Sequence, residues 1–420
     1  MGMKCGWNPI HGILALVLPV SVALASPVKT VPWNGAPGAV TFTFDDGCSS
    51  QLTNVFPALR TRKINATFFV IGNSSFWSNR AAWVGAAQAG DEIANHTVDH
   101  TNLTTISDTT KIRKEIQMWA DSLRTLDTSI QAVTMATPNC AANPTIDAIM
   151  NTQNIISRTC SSGSPYIWKT KPSNWMEMQS QLVQDASSLA TALSALDNAK
   201  KDSGWVTSLN HGVGGDWLSM SASDVATMFD RAITNKLWIG TYQDVAAYWR
   251  ASFTMDTVSA VASAAGSWRL AWTSPHARMP RHVMLKVKLD AQVFGAPGTT
   301  TVSQGGTTIP PNADGSYTID FMKLQLSVTK NSATGISPTT SLPVSASLLR
   351  QGSELVFAGL SDGAYRLEIR SLSGKLLVRT RLSTSGTQAR MAIPASLHGC
   401  VLAVLSREGS QNFTAPVWVP

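Results

Sequence analysis

Charge is scarce in this chain: Asp, Glu, Lys and Arg make up 14% of its 420 residues, against about 25% in average globular proteins. Ser, Thr and Asn must therefore carry much of the surface. Basic residues outnumber acidic ones, 33 to 26, for a net charge of +7. The densest basic run is only Arg60-Thr61-Arg62-Lys63, and the absence of a basic stripe argues against a nucleic-acid groove. Long apolar runs are also missing beyond the first 25 residues, so no membrane span is expected; a bilayer crossing needs about 20 apolar residues. A hydrophobic content of 44% excludes a disordered polymer, and the length suits one large or two to three smaller domains.

Cysteine is sparse, with five residues. Lys4, the apolar run Ile13-Leu14-Ala15-Leu16-Val17-Leu18-Pro19-Val20 and Ala23-Leu24-Ala25 read as a secretory signal peptide over residues 1–25, cleaved after Ala25. A secreted or cell-surface location is expected from it. Removal of that leader takes Cys5 and leaves Cys48, Cys140, Cys160 and Cys400. Four cysteines allow three pairings in an oxidising compartment. Cys140 and Cys160 are nearest in sequence, and Cys48 reads as a buried thiol.

From Ala39 to about Arg250, strand-like runs alternate with helix-like segments. Seven such runs stand at Ala39-Phe44, Ala66-Ile71, Glu92-Asn95, Ala132-Ala136, Ile155-Arg158, Trp205-Leu209 and Leu237-Gly240. This alternation predicts α/β architecture, a distorted (β/α) barrel of about seven strands over residues 26–250. Such barrels carry their reactive groups on loops after the strands' C-terminal ends. Beyond Arg250, short alternating runs predict β-sandwich-type modules: an accessory β-rich module over 251–330, a Ser/Thr/Pro-rich linker over 331–344 and a small β-domain over 345–420. The last resembles the sorting domains of exported bacterial enzymes, which implies secretion machinery as a partner.

The chemistry-bearing residues fall at the expected ends. Thr43-Phe44-Asp45-Asp46-Gly47 follows the first run, His96-Thr97-Val98-Asp99-His100 the third, and Leu209-Asn210-His211 the sixth. Asp-Asp-Gly alone is a turn signal. Two imidazoles four residues apart, with an aspartate, supply the nitrogen and oxygen donors that a divalent metal takes. Three of the six histidines outside the leader occupy these ends, while His276, His282 and His398 read as structural.

In order and spacing these motifs resemble the polysaccharide deacetylase family, the NodB-homology carbohydrate esterases, over about Ala39 to Arg250. The resemblance implies one divalent metal, zinc by default with cobalt, nickel or iron(II) as alternatives, held by Asp46, His96 and His100. It implies Asp45 as general base and His211 as general acid. It further implies an acetylated polysaccharide as substrate, cleaved at an N-acetyl amide or an O-acetyl ester, as in an acetylxylan esterase. Two departures stand out. Where the family carries an Arg-x-Pro-Tyr-like motif, this chain has Ala136-Thr137-Pro138-Asn139-Cys140, and Arg158 on the next run is the candidate to stand beside Asp45. Where the family shows Asp-Trp, this chain has Asn174-Trp175, so Asp99 or Asp216 could serve His211. Trp217, on a glycine-rich and flexible-looking loop, is expected to line a sugar groove together with Pro138 and Trp175, whereas Trp205 is assigned to the core. The missing arginine leaves a second reading, an impaired barrel acting as a carbohydrate-binding or cell-surface protein.

Overall fold

A computed structural model describes residues 26–160, 167–331 and, with short gaps, 347–419. The expected leader lies outside the described residues, as does almost all of the 331–344 segment. One compact unit extends to Thr329 and a second runs from Lys330 to the end.

The first unit is built on a parallel sheet of eight strands. They are β2 (Ala39–Asp46), β3 (Thr67–Val70), β4 (Glu92–Asn95), β5 (Thr134–Ala136), β6 (Ile156–Arg158), β7 (Gln181–Leu182), β8 (Trp205–Asn210) and β9 (Trp238–Ile239). The order is β6-β5-β4-β3-β2-β8-β7, with β9 also on the start of β2. The architecture is a distorted (β/α) barrel. All seven sequence runs overlap a strand; β7 escaped because two residues carry no periodicity.

Central parallel strands are buried on both faces, and β2 shows what each face is for. Val40, Phe42 and Phe44 pack into the apolar core of the helical side with Leu59, Trp83 and Phe229. Thr41, Thr43 and Asp45 alternate with them and point the other way. There Thr41 Oγ1 accepts the indole N–H of Trp205 at 3.1 Å, and Thr43 donates to the Ser208 carbonyl. Trp205 is wholly buried, as assigned.

After the barrel, strands such as β10 (Ala260–Ala264), β11 (Ser267–Ala271) and β12 (Met284–Leu289) build two antiparallel sheets of five and three strands. The three-stranded sheet takes its edge from the other end of the chain: β1 (Val28–Thr30) pairs antiparallel with β12. Val28, Phe69, Trp205, Val287 and Ile319 belong to one continuous core, so sequence positions before and after the barrel fold into the same compact unit. The helix Tyr242–Met255, buried along most of its length, contributes Tyr242, Trp249 and Met255 to that core.

The second unit is a sandwich of a three-stranded and a four-stranded antiparallel sheet. Leu355 and Phe357 from one sheet and Leu367, Ile369 and Ala403 from the other share its core. The strands Gly363–Ser371 and Leu376–Thr384 pair as the hairpin pattern required; the Ser-Gly turn between them lies outside the described residues.

Candidate metal and catalytic site

Neighbouring residues of an extended strand point to opposite faces, so Asp45 and Asp46 could not both serve one site inside regular β-structure. The backbone resolves this at the end of β2. Asp46 has φ 70°, a left-handed conformation that few residues other than Gly, Asn and Asp adopt cheaply, and it swings the second carboxylate back to the strand end. A similar device shapes the next loop, where Thr97 (φ 67°) and His100 (φ 63°) turn the chain so that His100 returns beside His96.

The result is a cluster of three potential ligands. Asp46 Oδ1 lies 3.4 Å from His96 Nε2 and 3.4 Å from His100 Nε2, and the three donor atoms all fall within 4.8 Å of one another. The buried Asp46 Oδ1 has no hydrogen-bond partner, an expensive omission unless a cation satisfies it. His96 Nδ1 lies 2.9 Å from the Ala136 carbonyl. A carbonyl can only accept, so neutral His96 carries its proton on Nδ1 and turns the Nε2 lone pair towards the cluster. Burial pushes the Asp46 carboxyl up, but the surrounding imidazoles of His96, His211 and His100 outweigh it and hold it below 3.8. Burial, then the charge of His96, hold His100 below its usual 6.5. Deprotonated carboxylate and neutral imidazoles are the forms in which these groups bind metal. The residues present fit a divalent ion.

Asp45 is almost completely buried, and both of its carboxylate oxygens accept from Arg158 Nη2. Arg158, equally buried at the end of β6, also donates to Ser180 Oγ at 3.3 Å and lies over the Phe69 ring, 5.1 Å from its centre. An arginine thus reaches Asp45 from β6, the strand after the Pro138–Cys140 turn. The loops after β5 and β6 are joined by the Cys140–Cys160 disulfide, Cα to Cα 5.4 Å, and by a bond from Thr137 N–H to the Arg158 carbonyl. Pro138 is buried at the start of the turn Pro138–Cys140 that follows β5.

His211 follows β8, and one side chain ties it to the aspartate pair: Gln51 Nε2 donates to the carbonyls of Asp45 at 2.7 Å and His211 at 3.0 Å. Burial pushes the His211 imidazole below 6.5; the charges of Asp45 and Asp46 oppose this, and those of Arg158 and His96 add to it. Its Nδ1 is buried without a partner, so among the described residues no carboxylate is bonded behind it. Asp216 accepts from the Ser50 N–H at 2.7 Å, Asp99 from the Thr101 N–H at 2.9 Å, and Asn174 donates to Asp147 at 2.7 Å.

Trp217 is exposed, with its ring edge-on to His211 at 5.1 Å and 82°. Its loop is pinned rather than loose. Gly212 N–H donates to the Trp217 carbonyl, Met220 N–H to the Gly212 carbonyl, and Gly214 N–H to the Met220 carbonyl. A Cβ on Gly212 would sit 2.1 Å from the Gly215 carbonyl, so this glycine provides closeness rather than freedom. Trp175 is placed elsewhere. Ser157 N–H donates to its carbonyl, which sets it below the rim of β6. Its ring packs edge-on against Trp249 at 5.3 Å with the Arg250 guanidinium over it. Trp249 meets Trp205, at the end of β8 opposite His211.

Sequence reasoning missed Gln51 and also Glu115. Glu115 Oε2 accepts the N–H groups of Val98 at 3.0 Å and Asp99 at 3.3 Å, inside the His96–His100 loop. Gln51 joins Asp45, six positions back, to His211, 160 positions on, and Glu115 reaches back to Val98 and Asp99; no motif marks either. Burial, then the charges of Asp46, Asp216 and Asp45, push the Cys48 thiol up to about 12, which keeps it protonated and poorly nucleophilic.

Residues 34–155 match the family model described as polysaccharide deacetylase. The chain is also similar to the Xyl-CE4 domain of a multidomain xylanase from the hindgut metagenome of Trinervitermes trinervoides, at 19% identity over 50% of this chain and 89% of that one, TM-score 0.36. A family 4 carbohydrate esterase from Streptomyces lividans, in complex with acetate, matches at 18% over 48% and 92%, TM-score 0.37. The peptidoglycan deacetylase PdaC from Bacillus subtilis matches at 18% over 50% and 89%, TM-score 0.37. Likeness at these levels assigns no residue a role. No curated protein matches the chain.

Proposed function

We propose that this protein is an exported, metal-dependent hydrolase that removes acetyl groups from a carbohydrate polymer. The observation that carries the reading is the unpartnered Asp46 Oδ1 set 3.4 Å from two imidazole Nε2 atoms, next to a second carboxylate held by a buried arginine. Asp46, His96 and His100 would hold the ion. When bound, a divalent ion there supplies Lewis acidity towards an acyl oxygen and makes a water more acidic. Asp45, fixed by Arg158, accepts the proton of the attacking water. Its oxygen stands 3.9 Å from His96 Nε2, so the base borders the cluster. His211, across the rim, passes a proton to the departing sugar oxygen or nitrogen.

Export is supported by the Cys140–Cys160 disulfide, since such bonds persist in oxidising compartments. No described helix is long and apolar enough to cross a membrane.

Between the two acetyl linkages, His211 favours the ester. An amide's amine must be protonated to leave, and an imidazole with no carboxylate bonded behind it is less often protonated and so less available for that step; an alkoxide leaves with less help. Acetate release from acetylated xylan and from chitin oligomers, after chelation and after reloading with Zn²⁺ or Co²⁺, tests the reading. Metal-restored release, faster on the ester, is expected. Release that survives complete chelation, or none from either polymer with metal restored, would overturn it.

A further inference from the structure

Most large apolar side chains of the first unit are buried, yet two indoles are not: Trp77 is 47% exposed and Trp217 63%. Their places in the sheet are related. Trp217 follows β8, and Trp77 lies in the short helix Ser74–Ser78 that comes after β3. β3 and β8 are the two strands that pair with the C-terminal half of β2, the strand ending in Asp45-Asp46. Adjacent strands are about 4.8 Å apart, so the loops bearing these indoles flank the aspartate pair on the face where such barrels do their chemistry.

Both rings are held. Trp77 is edge-on to Phe76 at 5.5 Å and to Trp119 at 5.9 Å. Trp119 is buried, and its indole N–H donates to the carbonyl of Val70, the last residue of β3, at 2.7 Å. Gly72 permits this stack: a Cβ there would come within 3.1 Å of both the Trp119 ring and the carbonyl of Val98, inside the His96–His100 loop. Trp77 therefore stands on a support tied to the sheet and bordering the ligand loop. A pre-positioned aromatic loses little entropy on binding a ligand, and the apolar C–H face of a pyranose ring matches an indole.

Resting on the deacetylase reading and extending it, we propose that Trp77 and Trp217 are two sugar platforms on either side of the end of β2, the strand that carries Asp45 and Asp46. The occupant is a polysaccharide strand laid across the end of β2, with its acetylated unit between the platforms. Recognition then depends on chain length: a substrate too short to reach Trp77 gains nothing from it.

The test compares an acetylated dimer with an acetylated hexamer, as xylo- and chitin-oligosaccharides, on the metal-loaded full chain. Trp77→Ala should raise KM for the hexamer about tenfold more than for the dimer, a loss of about 1.4 kcal/mol in binding, and Trp77→Phe should recover most of it. Metal titration of Trp77→Ala separates a folded variant from a collapsed one. Equal KM changes for both lengths, or none, would overturn the platform. Should the parent chain release no acetate, the hydrolytic reading fails by itself and direct binding decides: deacetylated hexamers should quench tryptophan fluorescence in the parent and bind about tenfold more weakly to Trp77→Ala. Unaltered binding in the variant would overturn the proposal.

Discussion

Two residues decide how the end of β2 can work. Asp45 keeps the strand's alternation and faces inward to Arg158; Asp46 breaks it through a positive φ and faces the histidines. The first half of that division was readable from the period of two; the second was not, because backbone conformation at a strand end depends on the loop into which the strand runs. Arg158 lies 113 positions from Asp45 and on a strand separated from β2 by three others in the sheet, so the curling of the barrel rather than strand pairing makes them partners. Arg158→Ala should lower turnover about a hundredfold, the scale of a misplaced general base, while metal binding persists because none of the three ligands touches the guanidinium. Lysine should rescue partly, since a point charge cannot serve Asp45 and Ser180 together. Turnover unaltered in the alanine variant, with metal bound, would remove Arg158 from the site.

At the scale of elements, the His96–His100 loop is the part most in need of support. Two non-glycine residues in left-handed conformation cost energy that surrounding bonds must offset. Asn95 Oδ1 accepts the Thr97 N–H at 2.7 Å, and Glu115 Oε2 takes the two amides after it. Glu115→Ala should weaken metal affinity about tenfold or more, the size expected when support behind a ligand is lost. Glu115→Gln should largely retain affinity, because one oxygen makes both bonds and the amide keeps one. Competition with a chromophoric chelator measures this; equal losses in the two variants would show that charge, not hydrogen bonding, is what Glu115 supplies. The strands were legible because apolar runs of four to eight residues between turn signals have few other uses. The pinned Gly212–Met220 loop was not, since its glycines read as freedom and act as room for carbonyls to approach.

Over the whole first unit, stability should fall as pH rises through neutrality. Glu92 is buried at the start of β4, accepting from Thr67 Oγ1 of β3, Thr134 Oγ1 of β5 and the Gln243 N–H of the Tyr242–Met255 helix. Burial outweighs those bonds and pushes its carboxyl from 4.5 up to about 7. Between those values the folded chain holds a proton that the unfolded chain has released, so this contribution is complete below 4.5 and lost as pH rises through about 7. The difference amounts to about 3 kcal/mol. Denaturant midpoints measured from pH 5 to 8 should fall in the parent and flatten in Glu92→Gln; parallel curves would refute the assignment. By itself the sequence determined the alternation of strands and helices, the strand ends that bear Asp, His and His, and the β-rich texture beyond the barrel, because these are periodic or local signals. Only the tertiary structure decided that β1 joins strands some 260 positions later, that Arg158 stands beside Asp45, that Trp175 faces away from the histidines and that Trp77 stands across the strand end from Trp217. Such relations depend on which distant segments share a sheet or a core, and no local pattern of side chains encodes that choice.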